Sequence, residues 1–313
     1  MTAHEVTAGD VGVTHVDLRQ SKRRLGEGLI RLSLALCALV SVLTTVGIVA
    51  SLLLPALEFF ADVNPVDFFT GTNWAPLFEP ASFGVVPLIT ATFVVTLWAL
   101  LVAIPCGLGT AIFLSEFASS RTRDILKPAL ELLAGIPTVV YGYFALTAVT
   151  PLLRDIGVGV EIFNALSGGL VIGVMLIPTV ASLSEDAMSA VPQALRDGSY
   201  GLGADRLQTS LRVVVPAAIS GIIASFVLAV SRAVGETMIV LIAVGQLPSL
   251  AFDPRATMET LTAFIGATGN GDVPTGTTEY KTIFAVGLTL FVLTLVMNVI
   301  SIRLVRKFRE EYE

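Results

Sequence analysis

Two charged residues, Arg232 and Glu236, interrupt an otherwise apolar segment that runs from Val213 to Gly245. A charged side chain at the centre of a bilayer costs about 2.5–3.5 kcal/mol on insertion scales, so two in one span need a compensating role. Positions i and i+4 share one face of a helix, and opposite charges placed there can pair. The two residues therefore form either an ion pair that fixes the helix against its neighbours or a charged site on the route of an ion.

An anion route is the functional interpretation of this pair. The planar guanidinium of Arg232 suits a tetrahedral oxyanion because it donates two parallel hydrogen bonds. Glu236 would hold Arg232 in place and keep the anion from binding too tightly for release. Thr138 and Tyr141 add hydroxyl donors in another apolar segment, although intramembrane Thr and Tyr more often serve packing. We predict that these four residues form a substrate translocation site.

Membrane helices are the elements that must position these residues. The mean hydropathy is +0.82 and only 14% of the residues are charged, compared with about 25% in soluble proteins. Roughly 20 helical residues cross the hydrocarbon core of a bilayer. We therefore predict an all-α, polytopic membrane protein with six transmembrane helices. The predicted spans cover about residues 29–57, 82–115, 129–153, 162–184, 213–245 and 281–303.

Basic residues set the predicted topology. Most lysines and arginines fall in the N-terminal tail, in the loops after the second and fourth spans, and at the C-terminus. The positive-inside rule then places both termini in the cytoplasm. Residues 1–28 form a polar tail, predicted to be disordered, ahead of a single membrane domain over residues 29–313. Trp74 and Phe78 are expected near the outer interface. No metal-ligand spacing occurs among the histidines and cysteines, and we expect no nucleic-acid partner.

A long cytoplasmic loop, residues 185–215, separates the fourth and fifth spans. Connections between membrane helices are usually short, so a loop of this size indicates either a solvated surface helix or a docking element. It contains Arg196, then Asp197-Gly198-Ser199, three residues, Gly203, nine residues, and Val213-Val214-Val215-Pro216.

This spacing resembles the "EAA" loop of ATP-binding cassette (ABC) importer permeases, although the residue identities are looser. In that family the loop forms a coupling helix that docks on the ATP-binding subunit. The resemblance therefore implies a coupling role for Arg196, Asp197, Gly198, Ser199, Gly203 and Pro216. The small residues allow close helix approach, and Arg196 and Asp197 can pair with charges on the partner.

Two further stretches, residues 133–142 and 231–238, resemble the permeases of Pst phosphate importers, and the region around Trp74 resembles the PstC type more than the PstA type. The resemblance covers nearly all of residues 30–313. It implies the type I importer permease fold, with the first span wrapping outside the other five. It also implies three partners besides the membrane lipid: a homologous PstA-type permease, a dimer of PstB-type ATP-binding subunits and an extracytoplasmic PstS-type phosphate-binding protein.

The energetic cost of phosphate entry also indicates an ATPase on another subunit. Phosphate carries about −1.5 to −2 charges near pH 7, by analogy with a phosphate monoester. Its entry against an inside-negative potential costs about 2.3 kcal/mol per charge per 100 mV. The sequence contains no G-x-x-x-x-G-K-[ST] loop, so we expect no cofactor on this chain, no enzymatic activity, and ATP with Mg on the partner ATPase. Three alternatives remain: a permease for sulfate or molybdate, an ion-coupled secondary transporter, and an intramembrane enzyme.

Overall fold

Helices make up nearly all of the regular structure. The computed structural model describes residues 25–271 and 273–307, and the predicted tail up to residue 24 lies outside them. Helical backbones satisfy their own hydrogen bonds, as hydrocarbon requires. The helices are α1 Leu25–Asp62, α2 Pro65–Thr70, α3 Val86–Ile112, α4 Ser120–Gly135, α5 Thr138–Phe144, α6 Thr150–Asp155, α7 Ala165–Ser189, α8 Gln193–Gly201, α9 Arg206–Thr209, α10 Val215–Ala217, α11 Ile219–Val234, α12 Leu261–Gly269 and α13 Thr278–Lys307.

Short π-helical turns extend or join several of these helices. Two-residue strands, β1 Trp74–Ala75 and β2 Ser82–Phe83, form an antiparallel pair in which Trp74 lies opposite Phe83. The π turns are Phe113–Phe117, Ala145–Val149, Ser210–Val214 and Val240–Val244. The described residues divide into two compact units, one up to Ser51 and one from Leu52 onward. The predicted wrapping of the first span around the others stays a prediction.

Four helices of the described residues are long and apolar enough to cross a membrane, and the number rises to six when each of two bent pairs counts as one span. The predicted third and fifth spans each correspond to one of these bent pairs. Ser120–Gly135 meets Thr138–Asp155 at 87°, and Arg206–Ala217 meets Ile219–Val234 at 72°.

Proline explains the position of both bends. Pro137 disfavours the helical conformation of the residue before it, and Ile136 is extended with ψ 130°. Pro216 has no N–H to bond the carbonyl of Arg212, and the turn just before it is π-helical. The backbone then leaves the helix at Ala218, whose ψ is 3°.

Close packing of α3 against α7 forms the centre of the larger unit. Glycines allow this approach, as is common between membrane helices. A Cβ atom added to Gly173 would lie 2.7 Å from the carbonyl oxygen of Ala99, and one added to Gly107 would lie 2.6 Å from the Cβ of Val180. Any side chain at these positions would push the two helices apart.

Aromatic rings hold together two of the predicted outer loops. Trp74 is buried, and its ring meets that of Phe264 edge to face with centroids 4.9 Å apart. Phe68 lies against the same tryptophan at 6.1 Å, whereas Phe78 is exposed. The loop after α1 and the segment containing α12 thus lie on one face, as the predicted topology requires. We call this the outer face.

A single methyl group tests the α3–α7 contact. Gly107→Ala should lower the thermal unfolding temperature because the rigid, β-branched Val180 cannot move aside, and overpacking costs about 1–3 kcal/mol. Gly109→Ala, on the same helix with no atom within 4 Å of the added carbon, is the matched control and should not be destabilising. Thermal unfolding of the purified protein in detergent measures both. Equal behaviour of the two variants would contradict this account.

Candidate functional site

Arg232 lies in the last turn of α11, and no ion pair within the described part of the chain includes it. Its side chain is exposed, and Nη1 donates a hydrogen bond of 3.3 Å to Oγ1 of Thr179 on α7. The guanidinium retains several free N–H donors and a full positive charge. It is therefore available to an anion.

Glu236 does not pair with Arg232, so the predicted i, i+4 ion pair is wrong. The helix ends at Val234 with Gly235 as its cap, so the two charged residues do not share a helix face. The Glu236 carboxylate is buried and accepts backbone N–H bonds from Met238 at 3.1 Å and Ile239 at 3.2 Å. It thus caps the start of the next helical turn, where a negative charge is favoured. Glu236 organises the backbone after the break and does not hold Arg232 in place.

Thr179 is a site residue that the sequence prediction missed. It lines a cavity of about 520 Å³ between α4 and α7, to which Leu228 of α11 also contributes. Arg232 follows Leu228 by four residues and so lies on the same face of α11, next to this cavity. The signal in the sequence was the dipeptide Pro178-Thr179, which places a proline and a hydroxyl within an apolar helix.

Thr138 and Tyr141 lie just after the bend between α4 and α5. Tyr141 is buried, and its hydroxyl donates to the carbonyl oxygen of Leu133 at 2.8 Å across that bend. This hydrogen bond uses the only proton the side chain can donate. Tyr141 therefore stabilises the bend, and the predicted donor role does not fit this geometry. Thr138 is half-buried at the first position of α5, and its place on the route stays a prediction.

The predicted coupling loop contains the expected short helix, α8. Helix α7 continues to Ser189, so the first residues of the predicted loop 185–215 extend that helix. Gly203 has φ +84°, a conformation that favours glycine and turns the chain after α8. Asp205 and Gln208 then form a reciprocal capping box that starts α9. Pro216 is exposed in α10, next to the bend of the fifth span.

Arg196 points into the protein, so the prediction that it pairs with a partner subunit is wrong. Its Nη2 lies 3.0 Å from Oε1 of Glu116, in the π turn that ends α3. The guanidinium also donates to the carbonyl oxygens of Met188 at 2.9 Å and Val191 at 2.6 Å. Both charged side chains are buried, and each provides the opposite charge that the other needs. Glu116, 80 residues earlier in the chain, joins helix α8 to α3.

Several other residues of α8 and the turn after it are exposed, in contrast to the buried Arg196. Asp197 and Gly198 face away from the chain, and Asp197 accepts only a bond of 3.0 Å from Gln193. Ser199 is half-buried and bonds Thr209 at 2.9 Å, which ties α8 to α9. Leu202 is 91% exposed in the turn after α8. A large apolar side chain exposed to this degree on a polar segment indicates a contact surface.

Comparison with known proteins now decides the family. The model of the "Binding-protein-dependent transport system inner membrane component" family matches residues 103–310. The chain belongs to this family. The matched residues include α8, the Arg196–Glu116 pair and Arg232, so the geometry described above lies within the region that defines the family.

Relatives and solved structures agree with this family. The chain is 37% identical to YqgH of Bacillus subtilis, named as a probable ABC transporter permease, over 92% of each chain. It is 30% identical to the phosphate transport system permease protein PstC of Haemophilus influenzae, over 91% of this chain and 94% of PstC.

A solved bacterial alginate ABC transporter in complex with a pentasaccharide-bound periplasmic protein has a chain of the same fold. The TM-score is 0.63 at 17% identity, with 91% of this chain and 98% of that chain covered. A chain of the MetNI methionine ABC transporter matches with a TM-score of 0.55 at 18% identity, over 72% and 95% of the two chains. The predicted all-α permease fold of type I importers is confirmed, as is a multi-pass inner membrane component.

A double-mutant cycle tests the Arg196–Glu116 connection in this family member. Arg196→Met should destabilise the protein by about 3 kcal/mol or more, because removal of one partner leaves the other charge buried and uncompensated. Glu116→Gln should also destabilise it, and the double variant should be more stable than the sum of the two losses predicts. Thermal unfolding in detergent measures all three.

Asp197→Asn provides the control for this cycle, since its carboxylate is exposed on the next residue of α8. It should change stability by less than about 0.5 kcal/mol. Additive losses in the double variant would show that the two buried charges act independently and would reject the connection.

Proposed function

We propose that this chain is one permease subunit of an ATP-driven phosphate importer, with Arg232 as the fixed cation on the phosphate route. The observation that carries the proposal is an exposed guanidinium in the fifth span, next to a cavity and without an acidic partner among the described residues. Relatives named as phosphate transport permeases, such as PstC of Haemophilus influenzae at 30% identity, support phosphate as the substrate.

The geometry favours transient binding of an oxyanion. A carboxylate paired with Arg232 would have to be displaced before an anion could bind, and the local capping role of Glu236 removes that competition. Thr179 orients the guanidinium through one N–H and leaves the others for phosphate oxygens. Lys127 also lines this cavity but is paired with Glu185. Glu131 and Asp186 line the same cavity and oppose retention of the anion once it has passed. A single arginine thus attracts phosphate without holding it tightly.

ATP hydrolysis must occur on a partner subunit because this sequence has no nucleotide-binding loop. Helix α8 is the proposed contact, and it presents Asp197, Gly198 and Leu202 to the cytoplasm. This chain binds no cofactor and catalyses no reaction in this proposal. ATP and Mg lie on a dimer of PstB-type subunits. The topology has both termini in the cytoplasm, in agreement with the positive-inside distribution.

Movement of α8 would reach the membrane helices through Arg196. Its guanidinium bonds Glu116 at the end of α3 and the carbonyl of Met188 in α7, and these two helices form the packed centre of the fold. An ATPase that displaced α8 would thereby displace α3 and α7 as well. Because α7 also carries Thr179, the movement would change the surroundings of Arg232.

One chain supplies one Arg232 and one α8, whereas two ATP-binding subunits need two docking helices. We therefore propose a homologous PstA-type permease as the second membrane subunit. A PstS-type extracytoplasmic protein would deliver phosphate to the outer face. The periplasmic protein bound to the alginate transporter of the same fold supports a delivery partner of this kind.

Phosphate uptake tests the role of Arg232. Arg232→Gln should abolish ATP-dependent uptake of radiolabelled phosphate in proteoliposomes, because the anion loses the guanidinium that binds it at this point of the route. Arg232→Lys should retain partial uptake, since it keeps the charge but loses bidentate geometry. Arg121→Gln removes another exposed arginine at the start of α4 and should leave uptake unchanged.

The assembly must be intact in each variant, as judged by co-purification of the partner subunits. Unlabelled sulfate and molybdate in excess should compete poorly with phosphate. Uptake at the wild-type rate by a fully assembled Arg232→Gln transporter would exclude the proposed route. Strong competition by sulfate or molybdate would show that the transporter recognises that anion and would contradict phosphate as the specific substrate.

Leu202 tests the docking surface on α8. Leu202→Asp should reduce the amount of ATP-binding subunit that co-purifies with the permease by about tenfold, because a fully exposed apolar contact becomes charged. Its thermal stability should not change, since the side chain is almost fully exposed. Leu247→Asp alters another exposed leucine, 61% exposed on the outer face, and should leave ATPase binding unaffected. Equal ATPase binding by the Leu202→Asp variant and wild type would place the docking surface elsewhere.

A further inference from the structure

A second cavity, of about 250 Å³, opens on the outer face, away from Arg232. Its walls come from the loop after α1 and from the segment between the fifth and sixth spans. The aromatic and polar lining residues are Trp74, Phe78, Gln246, Glu259, Phe264 and Thr268. The proposed translocation mechanism uses none of them.

Glu259 is the unexplained group in this cavity. Its side chain is only 5% exposed, and it forms no hydrogen bond or ion pair with any residue that the structure describes. Burial raises the pKa of this carboxyl from 4.5 to about 8, and no other charged or titratable side chain lines the cavity. An isolated buried carboxylate is costly unless it finds a partner.

The indole of Trp74, which lines the same cavity, carries a second unsatisfied group. Its Nε1–H is buried and has no hydrogen-bond acceptor among the described residues. An occupant that fits Glu259 must offer this carboxyl a positive charge or a hydrogen-bond donor. It must also have an apolar portion, because Phe264 and Phe78 form much of the remaining wall.

The rim of the cavity has the composition of a protein contact. Leu77, Phe78 and Leu247 are 55%, 72% and 61% exposed, and all three lie in loops outside the predicted spans. Exposed apolar residues around a buried polar centre are typical of interface hot spots, in which one anchoring side chain enters a pocket. Phosphate is a poor occupant because the cavity contains a carboxylate and no cation.

We propose that this cavity is a socket for one lysine or arginine side chain of the extracytoplasmic substrate-binding protein. This inference rests on the proposed function only in assuming such a delivery partner. The aliphatic stem of the basic side chain would lie against Trp74 and Phe264, and its charged head would pair with Glu259.

Docking should release a proton from Glu259, because a basic side chain pairs with the ionised carboxylate. Affinity should therefore rise as the pH increases from 6.5 towards 8.5, through the range in which the free carboxyl loses its proton. A glutamine at this position cannot titrate and should remove that part of the pH dependence.

The test uses the complete transporter in nanodiscs of phosphatidylcholine without nucleotide. Its probe is the fluorescently labelled binding protein that supports ATP-driven uptake by this transporter. Glu259→Gln should weaken docking about tenfold at pH 8.5 and abolish the difference between pH 6.5 and 8.5. Glu259→Lys should weaken it further. Glu79→Gln, an exposed carboxylate of the outer loop, is the matched control and should match wild type.

A charge reversal identifies the partner residue. Each lysine and arginine on the docking surface of the binding protein is changed singly to glutamate, and one change should restore docking to the Glu259→Lys transporter. Equal affinity of wild type and Glu259→Gln, or failure of every reversal to restore docking, would overturn the socket.

Two further outcomes would also overturn it. Loss of the second permease on purification of the Glu259→Gln variant would assign the cavity to the subunit interface. The second outcome is a Glu259→Gln variant that docks normally but loses the phosphatidylethanolamine that wild type retains after purification from mixed vesicles. That result would assign the cavity to a lipid headgroup. The readout is docking and not phosphate uptake, so a transporter for another substrate would fail the Arg232 test and still pass this one.

Discussion

Hydrocarbon cannot solvate a charge, so each ionised side chain within this protein must have a partner, cap a helix or face a route for ions. Arg196 satisfies this constraint through Glu116 and two carbonyl groups, and Glu236 satisfies it by capping a helical turn. Arg232 is exposed at the end of α11, and within residues 25–271 and 273–307 its side chain has one hydrogen-bond partner, the hydroxyl of Thr179. The difference between these three residues separates structural charges from the one that is free to meet an anion.

The breaks in the spans follow from the same constraint. A bend within a membrane frees backbone groups, and each bend here has a device that limits the number left unpaired. Tyr141 bonds the carbonyl of Leu133 at the first bend, π-helical hydrogen bonds continue up to the second, and Glu236 accepts two N–H groups after α11. These devices allow α5 and α11 to leave their bends at steep angles, 87° at the first bend and 72° at the second. The glycines of α3 and α7 allow these two helices to pack closely, and the bent helices lie around this contact.

The two faces of the molecule differ in how they treat charge. On the cytoplasmic side of the predicted topology, Glu116 and Glu185 both have basic partners in the same chain, Arg196 for the first and Lys127 with Arg123 for the second. On the outer face Glu259 is buried without a basic partner in the part of the chain that the structure describes. A paired network resists movement between helices, whereas an unpaired buried group favours association with a partner that supplies the missing charge. The arrangement fits a subunit that transmits force from one side and receives a carrier on the other.

The sequence by itself determined the class of protein, the apolar segments long enough to cross the membrane, the short helix in the long loop and the position of Arg232 as the candidate anion site. These features depend on composition and local spacing, which hydropathy and proline or glycine positions report directly. Only the tertiary structure decided that Arg196 bonds Glu116, that α11 ends before Glu236, that Thr179 adjoins Arg232, and that Glu259 and Trp74 share a cavity. Three of these are contacts between residues far apart in the chain, and the helix end reflects a competition between a glycine cap and continued helix. Local periodicity carries no information about which distant side chain will satisfy a buried charge, so packing had to decide it.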